Sequence, residues 1–136
     1  MRLTRAGDTP SRTVNPNWYT GTVWTTALAA GEAPHRLRVV LATFLPGART
    51  AWHTHPFGQV LIATSGTGRV QLAGEPAQVL NPGDSVTIAP GERHWHGAGP
   101  DQVFAHISMQ GATEDGIMAD WSDPVTDNEY RQAGTT

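Results

Sequence analysis

A chain of 136 residues with 15 glycines, 10 prolines and only 15% charged residues has room for one domain of short strands and many turns, which excludes a helical bundle or two stable domains. Nine basic and twelve acidic residues leave a net charge of −3 with no run of either sign, so the electrostatic footprint of a nucleic-acid or anionic-membrane binder is missing and the expected partner is a small molecule. With no cysteine, disulfides and thiolate ligands are excluded, and any metal must be held by imidazole, amide or carboxylate groups.

The first 17 residues read as an extension. They carry Arg2, Arg5 and Arg12 but no apolar stretch long enough for a secretion signal or a membrane span, which predicts a cytoplasmic protein. An Arg-rich opening is shared with organelle transit peptides, but Asp8 and the short length argue against that reading. Residues 18–26, rich in aromatic and β-branched side chains, predict one early strand. Residues 37–45, ended by Pro46-Gly47, place Val40, Ala42 and Phe44 on one face and Val39, Leu41, Thr43 and Leu45 on the other. A segment apolar on both faces belongs in the middle of a sheet. Short strands follow near residues 50–55, 59–64, 68–72, 77–80 and 85–88, each closed by Gly, Pro or Asn, and the last two fall near 94–98 and 103–110. Close, regular spacing predicts a sandwich or closed barrel. Thr126 and Glu129 form a capping box ahead of one short terminal helix. There is no internal repeat or dividing linker, so residues 1–136 read as a single domain, with the barrel over about 18–110 and a C-terminal segment over 111–136.

Strand alternation puts His53 and His55 on one face and Trp52 and Thr54 on the other. Pro56-Phe57-Gly58 can turn the chain so that Gln59 comes back toward the same interior, and His94 closes the set from a later strand. Three neutral imidazoles and one oxygen donor suit a first-row divalent ion and leave two octahedral positions for water or substrate. An isolated His-x-His is more often simply two polar residues on a strand. The longer pattern decides between the two.

That pattern is Gly47-x5-His53-x-His55-x3-Gln59-x6-Gly66, followed by Gly83 and then Pro90-Gly91-Glu92-Arg93-His94 with a Trp95-His96-Gly97 ending. It resembles both signature stretches of the cupin superfamily, which implies a double-stranded β-helix, a jelly-roll-like β-barrel. Two departures stand out: Gln59 replaces the family's usual glutamate, and Ala89 and Ala98 stand where proline and asparagine are common. The segments 47–56 and 90–98, with Trp18 to Val23, His106, Gln110, Asp120-Trp121 and Val125 to Asp127, look very like the bacterial cupin (R)-hydroxynitrile lyases. This resemblance implies one Mn²⁺, although an imidazole-rich site is also compatible with Fe²⁺, Ni²⁺ or Zn²⁺. It further implies a homodimer or homotetramer built by pairing sheet edges, which would hide an exposed strand.

On residues 103–110, alternation gathers Phe104, His106, Ser108 and Gln110 on one face. The resemblance makes His106 the general base, with Gln110 beside it as a second catalytic residue. Val40, Ala42, Phe44, Thr50 and Ser108 are expected to shape the substrate pocket, although the Val40 and Ala42 pair differs from its counterparts in the lyases. His96 reads as a packing support for the ligands, His35 as a loop residue near the barrel mouth, and the five tryptophans as core or subunit contacts. The activity implied is cleavage or formation of aromatic cyanohydrins, with the hydroxyl oxygen on the metal. Two alternatives use the same barrel: an oxygen-using cupin, marked by substrate-dependent oxygen uptake, and a small-ligand or sugar-binding or isomerase cupin, marked by neither cyanide release nor oxygen uptake.

Overall fold

Segments too short and too β-branched to be helices, most of them closed by Gly or Pro, curl into two sheets that face each other in the computed structural model, which describes residues 1–134. In chain order the described strands are β1 (Arg12–Thr13), β2 (Tyr19–Thr20), β3 (Val23–Ala30), β4 (Arg38–Phe44), β5 (Arg49–Thr50), β6 (His53–Thr54), β7 (Gln59–Ser65), β8 (Gly68–Leu72), β9 (Gln78–Leu80), β10 (Ser85–Ile88), β11 (His94–Ala98), β12 (Phe104–Gln110) and β13 (Asp120–Trp121), followed by the helix α1 (Asp127–Ala133). One sheet runs β1-β3-β4-β12-β7-β10. The other runs β13-β6-β11-β5-β2, with β8 on β11 and β9 on β8. This is the jelly-roll-like barrel expected from the sequence, with its single terminal helix.

Two expected strands are each broken in two. Residues 18–26 divide into β2, in the second sheet, and β3, in the first. The break falls at Gly21, whose φ of +82° suits only glycine and whose Cβ, if it had one, would lie 2.9 Å from the Ala48 Cβ. Residues 50–55 divide into β5 and β6 because the backbone between them pairs elsewhere, Ala51 N–H donating to Trp18 O at 2.7 Å and Trp52 N–H to Asp123 O at 2.9 Å. Neither partner is local, so no short-range pattern announces the break. His55 consequently lies just beyond β6 rather than within a strand.

Between the sheets, Phe44, Phe104, Leu61 and Val23 form the fully buried core. A second cluster, of Trp52, Trp95, Val125, Tyr130 and Ala133, seats α1 on the outside of the second sheet. Arg49, 5% exposed, ties the two together. Its guanidinium donates to Val125 O and to the Asp127 carboxylate, and lies 4.6 Å from the Tyr130 ring centroid. Tyr130 Oη in turn donates to Ala98 O at 2.7 Å. The strands that carry the histidines are thus braced from behind.

Candidate metal centre and substrate cavity

β6 and β11 are neighbours, and their registered pair is His53 opposite His94. Both side chains point inward, their ring centroids 4.2 Å apart, and the His55 ring lies 4.9 Å from His53 and 5.4 Å from His94. Each Nδ1 meets a backbone carbonyl: His53 with Ala51 O at 2.8 Å, His55 with Met118 O at 2.7 Å and His94 with Glu92 O at 2.9 Å. A carbonyl only accepts, so each Nδ1 carries the proton and each Nε2 is left with its lone pair toward the interior. Burial, reinforced for His53 and His94 by the neighbouring imidazoles, holds all three pKa values down, that of His94 to about 4. At neutral pH the rings are therefore uncharged, with nothing to protonate the inward nitrogens.

Gln59 supplies an independent test of whether a cation fits. Gln110 Nε2 donates to the Arg38 carbonyl at 3.4 Å, which turns Gln110 Oε1 toward Gln59, and Gln59 Nε2 donates to it at 3.0 Å. Gln59 Oε1 is thereby left facing His94 Nε2 at 3.1 Å. Followed from both ends, the chain of donors leaves no proton for this last contact, where a carbonyl oxygen meets a bare imidazole nitrogen. Two buried acceptors this close repel each other. A divalent cation satisfies both, as well as His55 Nε2, which is buried with no hydrogen-bond partner. The donor set therefore suits a first-row divalent ion, and His53, His55, Gln59 and His94 are the residues that would hold it.

His96 does more than the packing role expected of it. Alternation along β11 turns it inward with His94, and a nitrogen from each of His53, His94 and His96 lies within 4.8 Å of the others. His96 Nδ1 shares a hydrogen bond of 2.9 Å with His106 Nε2, while His96 Nε2 and His106 Nδ1 are buried without partners. Burial lowers the His106 pKa to about 4 and that of His96 well below its ordinary value, so both rings are neutral at neutral pH. His106 is held by Phe44 and Phe104, whose ring centroids lie 5.2 and 5.6 Å away.

These groups face a cavity of about 490 Å³. Val40, Ala42 and Phe44 of β4 and His106, Ser108 and Gln110 of β12 form one wall, while His53, His55, Gln59 and His96 line it on the metal side. Thr50 does not reach it. The side chain is fully buried, and its hydroxyl accepts from the His96 backbone N–H at 3.2 Å, so it supports β11 instead of touching a ligand. His94 stands behind Gln59, off this cavity and against a separate one of about 430 Å³. Sequence reasoning missed the mouth. Trp18 and Trp121, expected as core or subunit contacts, line the cavity, stacked 5.2 Å apart at 5°, and Trp121 lies 4.5 Å from the His53 ring. Both fall in stretches where the resemblance reached beyond the metal motif, the one signal that pointed there. His35 stays exposed, and only its carbonyl is engaged, accepting from Ala112 N–H at 3.3 Å.

Comparison with known proteins agrees with this architecture. Residues 40–105 match the family model described as Cupin domain. A protein of Granulicella tundricola named (R)-mandelonitrile lyase is 43% identical over 132 residues, covering 97% of this chain and 100% of its own. A cupin-like protein of Thermotoga maritima has 42% identity and a TM-score of 0.83 over 89% of this chain and 91% of its own. The polyketide cyclase RemF of Streptomyces resistomycificus, at 16% identity, matches with a TM-score of 0.73 over 99% and 94% of the two chains and shares the fold alone.

Proposed function

The chain belongs to the cupin family, and on that premise we propose that it is a metal-dependent carbon–carbon lyase that cleaves or forms aromatic cyanohydrins. The observation that carries the metal is the unprotonated contact between Gln59 Oε1 and His94 Nε2. The likeness to the Granulicella lyase over nearly the whole chain carries the reaction. A cavity of about 490 Å³ walled by Val40, Ala42, Phe44, Trp18 and Trp121 is large and apolar enough for a phenyl ring.

A divalent ion, Mn²⁺ by analogy with the lyases, would be held by His53, His55, Gln59 and His94 and would supply Lewis acidity to a hydroxyl oxygen of the substrate. Because Gln59 is neutral, the protein puts no carboxylate against that charge, which leaves the electrophile strong. The chain's own part is to place the aryl group and to move the proton. His106 is uncharged at neutral pH, and in the tautomer whose Nε2–H donates to His96 Nδ1 the lone pair sits on its unpartnered Nδ1, which can accept the hydroxyl proton as the bond to cyanide breaks. Phe44 and Phe104 hold the ring in place while it does so. Gln110 fixes the orientation of Gln59 and presents its amide to the cavity.

Metal analysis of the purified protein, followed by a cyanide-release assay on racemic mandelonitrile, tests the reading. Cyanide release that depends on the ion is the expected result; oxygen uptake without cyanide release overturns it. His106→Ala is expected to lower turnover by about 10² to 10⁴ with unchanged metal content. Full activity in that variant would remove the proposed base.

A further inference from the structure

β3, β4 and β12 build a slot in the wall that faces the metal side of the cavity. One registered row across them is Thr25, Ala42 and His106, and all three line the cavity. Ala42 carries only a methyl group and makes a low floor. Val40 and Phe44, the next inward residues of β4, rise on either side of it. His106 stands at one end of the slot and Thr25 at the other, two strand spacings or about 9.6 Å apart from backbone to backbone. The Thr25 hydroxyl differs from that of its neighbour. Thr26, turned outward, shares a hydrogen bond of 2.7 Å with Ser11, whereas Thr25 Oγ1 has no hydrogen-bond partner among the described residues.

We infer that this slot selects an aryl group whose ring carries a neutral hydroxyl at the carbon remote from the reacting one, with Thr25 as the residue that reads it. The inference rests on the lyase reading above, which sets the carbinol beside His106 and the metal. A benzene ring laid over Ala42 from that point directs its para substituent along the row toward Thr25. An apolar substituent there would strip water from the Thr25 hydroxyl and give nothing back. A phenolic hydroxyl both donates and accepts, so it satisfies Thr25 in either orientation. Charge narrows the class further. No Asp, Glu, Lys or Arg lines the cavity, so a ring carboxylate or ammonium would be buried unpaired. Tyr19, on the same cavity, reports how these surroundings treat a phenol: burial pushes its pKa up to about 12. A substrate phenol placed there keeps its proton for the same reason.

The test titrates metal-loaded protein with 4-hydroxybenzyl alcohol and with 4-methylbenzyl alcohol, which is close to it in size and cannot lose cyanide. Calorimetry is expected to show about 5- to 10-fold tighter binding of the hydroxyl compound. Thr25→Val, which keeps the β-branch and so the strand, is expected to erase that preference, and Thr25→Ser to retain it. The matching cyanohydrins, corrected for uncatalysed loss of cyanide, are expected to follow the same order in kcat/KM. Equal binding of the two alcohols by the wild-type protein, or a preference that survives Thr25→Val, overturns the proposal. The lyase reading fails separately. A binding preference that depends on Thr25, with no cyanide released from either cyanohydrin, removes the reaction and upholds the slot. Cyanide released equally well from both removes the slot and upholds the reaction.

Discussion

Gln59 shows how much chemistry one neutral amide can govern. Its oxygen faces His94, and its NH₂ is committed to Gln110, which is committed in turn to the Arg38 backbone. Gln59→Glu offers no proton to Gln110 Oε1 and adds a negative charge beside the cation site, so the variant should hold metal at least as well and cleave more slowly. Steady-state cyanide release at saturating metal, paired with metal analysis, checks this; a faster variant would contradict it. The 53, 55, 59, 94 set was legible in the sequence because its spacing and the flanking glycines and Pro90-Gly91-Glu92-Arg93 make one long pattern, whereas the break that leaves His55 just beyond β6 was not. The inward turn of His96 was legible from alternation alone. Its nearness to the His53 and His94 nitrogens was not, because that depends on how β6 meets β11 across 41 residues of sequence.

Among the elements, α1 is the one whose local signals were complete. Thr126 Oγ1 accepts from Glu129 N–H at 3.1 Å and Glu129 Oε1 accepts from Thr126 N–H at 3.0 Å, as the capping box required. Thr126→Ala is expected to cost about 1 kcal/mol and, in a chain of this size, about 3–5 °C of Tm, measurable by calorimetry. β4, β7, β8, β10, β11 and β12 fell within about one residue of their expected limits because alternation and terminal glycines or prolines define them. The two-residue strands β1 and β13 carry too few side chains to show any period. They matter nonetheless: β13 sets Trp121 opposite His53.

For the molecule as a whole, burying five neutral histidines in one barrel sets its response to acid. In each the folded pKa is lowered, chiefly by burial, below the ordinary value of 6.5, with His94 and His106 at about 4. Between about pH 6.5 and 4 the unfolded chain takes up protons that the folded chain refuses, so stability rises with pH across that window. The metal-free protein is expected to be fully stable above about pH 7 and to lose stability steeply as the pH falls from 6.5 toward 4. Urea melts at stepped pH values check this, and a midpoint flat through that window would refute it.

The stacked pair at the cavity mouth has a practical consequence. Two indoles lie face to face, and the inner one, Trp121, is 4.5 Å from a ring that would bind the ion. Loading the site or filling the cavity therefore alters the surroundings of a natural fluorophore, and occupancy can be followed by its emission with no label attached.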